Sequence, residues 1–269
     1  MATDQTMDIL QTLILAIIQG ITEWLPISSS GHLAIAQKYF NIKPTLTFDI
    51  ALHVGTILVV LITFRKDVVN ILKAFFQWDF ESEEGKLVLF IIVGSIPTAI
   101  IGFLLLYYDI VEMLFSNLLI VGSALLVTGI FLYASGHVKD GKKLNYLDTL
   151  LIGIAQGIAT IPGISRSGFT ISSGLLRNVK REKVFKYSFL LSIPAVLGAM
   201  AATIVKEHEN LIVGSLDLCL TIVGATISFV IGYMALELLR KIFMKQKFHL
   251  FAYYCWIIGF AIIMLHVLQ

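Results

Sequence analysis

Six stretches of this chain, about 48–64, 87–107, 113–135, 184–206, 211–238 and 249–268, are almost wholly apolar and long enough to cross a bilayer. A hydrocarbon core about 30 Å thick takes roughly 20 apolar residues of helix. Helices satisfy their own backbone hydrogen bonds in lipid, so an all-α integral membrane protein is the expected fold class. Composition supports this. Of 269 residues, 57% are hydrophobic and 14% charged, with a mean hydropathy of +0.87. So few charges cannot cover that much apolar surface in water. Met1–Asp8 carry no Lys or Arg, which argues against a cleaved signal peptide. Cys219 and Cys255 fall in apolar stretches without metal-type spacing and read as packing residues.

Two further apolar stretches are interrupted. Residues 9–25 break at Leu25-Pro26-Ile27-Ser28-Ser29-Ser30-Gly31-His32, and residues 148–161 break at Ile161-Pro162-Gly163-Ile164-Ser165-Arg166-Ser167-Gly168. Pro and Gly stop helices and Ser caps them, so short helices are expected to resume at 33–40 and 169–177. Each pair reads as a re-entrant hairpin, 9–40 and 148–177. The two are copies: Gln19-Gly20-Ile21 matches Gln156-Gly157-Ile158, Ile27-Ser28 matches Ile164-Ser165, and Ser30-Gly31 matches Ser167-Gly168, all at one offset without gaps. Phe48 still matches Phe185. An internal duplication follows, with repeats 1–135 and 148–269 in one membrane domain, 1–269. Each repeat holds one hairpin and three spans. An odd span count turns the second copy over, giving an inverted-topology repeat whose broken helices meet near the midplane.

Loop charge bears on this plan. Six spans put Arg65, Lys66, Lys73, Lys86, Lys139, Lys142, Lys143, Arg177, Lys180, Arg181, Lys183, Lys186, Arg240, Lys241, Lys245 and Lys247 on one side, and Lys38, Lys43 and Lys206 on the other. Basic loops gather in the cytoplasm, so both termini are expected outside it. The segment 68–86 reads as a short amphipathic helix and a polar loop on the cytoplasmic surface. Pro97 and Pro194 are expected to kink their spans, and Asp217 and Glu237 to sit near an interface or pair helices.

Ionisable groups at membrane depth are functional candidates, and here they are Glu23, His32 and Arg166, all near hairpin tips. Two helix N-termini offer free N–H groups to an anion. Ser28, Ser29 and Ser30 add hydroxyls on one side, and Ser165, Ser167 and Thr170 on the other. Arg166 adds a planar fork suited to phosphate. The repeats divide the chemistry: Glu23 corresponds to Thr160, His32 to Phe169 and Ser29 to Arg166. That points to one composite site, with acid/base groups from the first half and a phosphate clamp from the second. Gln19 and Glu23 share a helix face, and the hairpin turn offers a route for His32 to reach Glu23. Asp49 and His53, four apart on the next span, either support the pocket or pair structurally. A metal site at Glu23 and His32 lacks a second nearby carboxylate. An inverted-repeat transporter would present the same pocket without using Glu23 and His32 as catalysts.

The two tips resemble known signatures. Gln19-Gly20-Ile21-Thr22-Glu23-Trp24-Leu25-Pro26-Ile27-Ser28-Ser29-Ser30-Gly31-His32 is similar to the first motif of the undecaprenyl-diphosphate phosphatase family, also called bacitracin resistance proteins. Pro162-Gly163-Ile164-Ser165-Arg166-Ser167-Gly168-Phe169-Thr170 is similar to its second. The family accepts Glu or Gln at the position of Gln19; Gln removes one carboxylate from a two-carboxylate metal site. The resemblance implies hydrolysis of undecaprenyl diphosphate to undecaprenyl phosphate and inorganic phosphate, recycling the bacterial cell-wall lipid carrier and conferring bacitracin resistance. It implies catalytic roles for Glu23, Ser29, His32 and Arg166, with Gln19, Ser28, Ser30, Ser165, Ser167 and Thr170 around the phosphates. It further implies a bacterial inner-membrane location and a site open to the outer face. No tightly bound cofactor is expected, with Mg2+ or Ca2+ at Glu23 left open. The expected partners are the polyprenyl diphosphate and membrane lipids, with no nucleic acid and a homodimer left open. Whether Ser29, His32 or water attacks phosphorus is open at this level.

Overall fold

The computed structural model describes residues 7–42, 44–138, 141–206 and 215–268, with backbone alone for 215–217. Lys43 and Lys139, the first residues of the 211–238 stretch, the Asp217 side chain and most of Met1–Asp8 lie outside the described residues. Among those described, the chain forms α1 (Ile9–Trp24), α2 (Ser29–Tyr39), α3 (Leu46–Thr63), α4 (Arg65–Phe76), α5 (Glu83–Tyr107), α6 (Ile110–Ser116), α7 (Leu118–Gly136), α8 (Tyr146–Ile158), α9 (Arg166–Leu176), α10 (Arg181–Lys206), α11 (Ser215–Met244) and α12 (Leu250–Val267). The only β-type pairing among them is the isolated bridge between Lys142 and Val179.

Six helices, α3, α5, α7, α10, α11 and α12, are long and apolar enough to span a membrane, so the protein is a multi-pass helical membrane protein. The interrupted stretches form shorter helices. α1 has 16 residues, which at about 1.5 Å per residue reaches roughly 24 Å, short of a core about 30 Å thick. α8 has 13 residues and falls further short. Both start on a reciprocal cap: Asp8 with Gln11 for α1, and Asn145 with Asp148 for α8. Both stop where the Pro- and Gly-containing turns begin, and α2 and α9 then start on Ser28 and Ser165.

The copies exchange partners. α1 packs on α11, while its counterpart α8 packs on α5, the counterpart of α11. α7 packs on its own counterpart α12. Such reciprocal pairing is compatible with the inverted-repeat plan. Small residues make the exchange close. A Cβ on Gly20 of α1 would stand 3.0 Å from Ile231 Cβ, and one on Gly153 of α8 would stand 2.1 Å from Gly94 O. An aromatic cluster packs at the end of α1, with its last residue Trp24 against Phe189, 5.6 Å between rings, and Phe189 against Phe64 and Phe185.

Several element boundaries depart from the sequence reading: α2 and α9 begin at Ser29 and Arg166 rather than 33 and 169, and α11 runs on to Met244 rather than 238. The 113–135 stretch is not one helix: α6 ends at Ser116 and α7 restarts, because Asn117 Oδ1 accepts from the N–H groups of Leu119 and Ile120 at 3.0 and 3.4 Å. α5 begins at Glu83 rather than 87, because Ser82 Oγ caps it through Gly85 N at 3.0 Å. The surface segment therefore reduces to α4 and a short turn. Phe75, Phe76 and Trp78 stand exposed there, as an interfacial helix requires. Pro97 and Pro194 lie inside α5 and α10.

Candidate active site

Both tips carry the same capping hydrogen bond. Ser28 Oγ accepts from Gly31 N at 3.2 Å, and Ser165 Oγ accepts from Gly168 N at 3.2 Å. Ser28 and Ser30 hydroxyls lie 3.3 Å apart, and those of Ser165 and Ser167 3.4 Å apart. The third positions, Ser29 and Arg166, are the ones that face each other across the repeat. Glu23, at the end of α1, sits between them. Its Oε1 pairs with Arg166 Nη2, and its Oε2 accepts from Ser29 Oγ at 2.7 Å and from Gln19 Nε2 at 3.0 Å. The Glu23 side chain is 4% exposed and that of Arg166 is 18% exposed. A carboxylate so buried needs these donors, because losing its charge partner alone costs about 3–5 kcal/mol. The Arg166 guanidinium also lies 5.5 Å from the Trp24 ring centre.

Glu23, Ser29 and Arg166 line a cavity of about 670 Å³, together with Ser28, Ser30, Asp49, His53, Ser95, Thr98, Gln156, Thr160 and Ser165. From the tips the cavity continues between α5 and α10, past Gly102, Phe103, Gly198 and Ala202 to Leu106 and Thr203. Its inner end is polar and its long arm is apolar. A Cβ added at Gly198 meets nothing within 4 Å, and one at Gly102 only Thr160 Oγ1 at 3.8 Å. The arm is wide because these positions carry no side chain.

Of the residues singled out in the sequence, Glu23, Ser29, Arg166, Ser28, Ser30 and Ser165 converge on this cavity. Gln19 stands behind Glu23, fully buried. Ser167 and Thr170 do not line the cavity. Ser167 is buried beside Ser165, and Thr170 Oγ1 donates to Arg166 O at 2.8 Å and pairs with Ser188. In this structure they brace α9. His32 also turns away. Its Nδ1 lies 2.8 Å from Ser28 O, and its Nε2 lies 2.8 Å from the Tyr254 hydroxyl, with the rings stacked at 5.7 Å. The expected pairing of His32 with Glu23 is not formed, because Glu23 is already satisfied from the other side and Tyr254 of α12 claims the imidazole. Tyr254 carries no motif and lies far along the chain, so no sequence signal marked it. His53 takes the place in the cavity wall, with Nδ1 3.2 Å from Gln19 Nε2. Asp49, one turn earlier, has a buried Oδ1 without a hydrogen-bond partner.

Both Glu23 oxygens are engaged, and among the described residues no three His, Cys, Asp or Glu side chains cluster to hold a metal.

Fold and cavity together define a class: a polytopic helical membrane protein with a cavity that is polar between its two serine-capped tips and apolar along its arm. Comparison with known proteins gives the family. The family described as "Bacitracin resistance protein BacA" matches residues 12–261, and this chain belongs to it. A protein named undecaprenyl-diphosphatase in Desulforapulum autotrophicum is 43% identical, over 94% of this chain and 96% of its own length. Proteins of the same name in Korarchaeum cryptofilum and Carboxydothermus hydrogenoformans are each 42% identical over 96% of this chain, covering 100% and 98% of their own lengths.

Proposed function

We propose that this protein is a phosphatase that hydrolyses undecaprenyl diphosphate to undecaprenyl phosphate and inorganic phosphate, in the plasma membrane of a bacterial cell. That reaction recycles the cell-wall lipid carrier and underlies bacitracin resistance. The observation that carries the reading is the Ser29–Glu23–Arg166 line: a hydroxyl 2.7 Å from a buried carboxylate that also holds a guanidinium.

The chemistry follows from the atoms. Glu23 Oε2 takes the Ser29 proton as Ser29 Oγ attacks the terminal phosphorus, and the bond to the bridging oxygen breaks to release the lipid monophosphate. Arg166 exchanges Glu23 for the phosphate oxygens and stabilises their charge, aided by the N-termini of α2 and α9. Water then hydrolyses the phosphoserine. Ser29 is preferred over His32 as nucleophile because His32 Nε2 is engaged with Tyr254. His32 instead fastens the Ser28 carbonyl and so the turn that presents Ser29. The diphosphate would occupy the polar end and the prenyl tail the apolar arm. A cavity of about 670 Å³ is of the size that holds small ligands, roughly 300–1,000 Å³; the rest of the tail would extend into lipid. Mg2+ or Ca2+ would enter with the diphosphate, as Mg2+ commonly does with phosphates.

The orientation proposed from loop charge puts both termini and the open end of the arm, near Leu106 and Thr203, on the outer face, with the two hairpins entering from opposite sides. A lipid or anion transporter is the second reading, favoured by the exchanged repeat packing. Phosphate release from polyprenyl diphosphate by purified protein in detergent, without a gradient, separates them. Turnover supports the phosphatase; substrate binding without turnover supports the transporter.

A further inference from the structure

The cavity wall holds an imidazole that the chemistry above leaves unused. His53 is on α3, outside both tip motifs, and it touches the machinery through one residue. Gln19 Nε2 stands 3.0 Å from Glu23 Oε2 and 3.2 Å from His53 Nδ1, while Gln19 Oε1 is buried without a partner. An amide nitrogen only donates. One hydrogen therefore goes to the carboxylate and the other to His53, whose Nδ1 must accept. The reverse amide orientation would set an oxygen lone pair against Glu23 Oε2. Glu23 thus sets the amide orientation, and His53 stabilises it by accepting the second amide hydrogen. Without an acceptor at 53, the second amide hydrogen is left unpaired in a buried place, which costs more than the bond itself contributes.

We propose that His53 is a positioning residue for the phosphatase reaction: acting through Gln19, it holds Glu23 as the proton acceptor for Ser29. The inference rests on the phosphatase reading. The charged or titratable groups about His53 are Glu23 from α1, Arg166 from α9 and Asp49 one turn back on α3. Gln19 Nε2 is hydrogen-bonded to Glu23 and His53.

The test is a set of substitutions assayed for phosphate release from polyprenyl diphosphate, with thermal unfolding in detergent as the control for folding. His53→Leu, which removes the acceptor, lowers kcat by about 10- to 100-fold, the range for a lost hydrogen bond that supports a charged group. KM stays within about twofold, since the phosphate contacts are elsewhere. His53→Gln restores an acceptor oxygen and recovers most of the rate. Gln19→Ala falls to a similar rate, and Gln19→Ala combined with His53→Leu falls no further, because both act on one link. Multiplicative losses in the double variant would overturn the inference, as would full activity in His53→Leu or no rescue by His53→Gln in folded protein. Should the wild-type protein bind polyprenyl diphosphate and release no phosphate, the phosphatase reading itself would fall, a result distinct from any of these.

Discussion

The two hairpin tips share their capping bonds but not their backbones. At the first, Ser28 caps α2 with φ at +70°, in the left-handed region. At the second, Ser165 caps α9 with a relaxed φ of −78°, and the left-handed residue is Gly163 at +95°, two positions earlier. Gly163 has Pro26 as its counterpart in the first tip. The strain therefore sits on a serine in one tip and on a residue without a Cβ in the other. The serine is the residue before Ser29. A left-handed conformation at a non-glycine residue costs on the order of 1–3 kcal/mol, and such strain gathers at functional sites. The first tip bears that cost where Ser29 is aimed at Glu23. The second tip only has to project Arg166 into the same cavity. The caps are equal; on the proposed mechanism the chemistry lies at the first tip and the phosphate clamp at the second.

Breaking the division should have its largest effect on turnover. Ser29→Ala and Glu23→Gln should each lower phosphate release by about 10²–10⁴-fold, the usual worth of positioned acid–base help. Thr160→Ala, at the counterpart of Glu23 and lining the same cavity, should stay within about tenfold. Equal losses at Glu23 and Thr160 would mean that the halves share the chemistry.

Stability should divide the other way. A Cβ at Gly163 would stand 2.4 Å from Val121 O and 2.7 Å from Ala124 Cβ. Gly163→Ala should therefore cost about 2 kcal/mol or more through strain and clash, read as a lower unfolding temperature in detergent. Pro26→Ala should cost less than half as much. The serine caps sharpen the comparison. Replacing a cap by Gly usually costs a few tenths of a kcal/mol. Ser165→Gly should lower stability by about that amount, while Ser28→Gly relieves its left-handed strain and should unfold at the wild-type temperature or above it, with reduced activity. The smallest effect concerns the clamp on His32. Tyr254→Phe keeps the stacked ring and removes one hydrogen bond, worth about 0.5–1.5 kcal/mol, so phosphate release should fall by less than about tenfold.

The sequence made the tips visible because Gln, Gly and Ser held register across two greasy helices, which packing alone does not demand. It gave the six long helices because length and hydropathy suffice for those. It marked Glu23, Ser29 and Arg166 because ionisable and hydroxyl groups at such depth require partners. It did not give the partners. Glu23 meets Arg166 from the other repeat, and His32 meets Tyr254 from the last helix; both pairings follow from how the repeats exchange helices, which no local pattern encodes. Thr170 looked like a phosphate ligand by spacing, yet in α9 its hydroxyl folds back on the Arg166 carbonyl, as Thr commonly does in a helix. Asn117 split one apolar stretch by a single side-chain acceptor that hydropathy does not weigh.

On the proposed mechanism Arg166 binds phosphate while Glu23 acts on Ser29, and the two groups neutralise each other until substrate arrives. Equilibrium binding of a non-hydrolysable polyprenyl diphosphonate to the purified Glu23→Gln and Arg166→Lys variants tests it most directly. Glu23→Gln releases Arg166 from its ion pair, so the analogue should bind at least as tightly as to wild type even though turnover is lost. Arg166→Lys keeps a charge without the bidentate fork, so binding should weaken by about 10-fold or more. Loss of binding in Glu23→Gln, with wild-type binding in Arg166→Lys, would contradict the account.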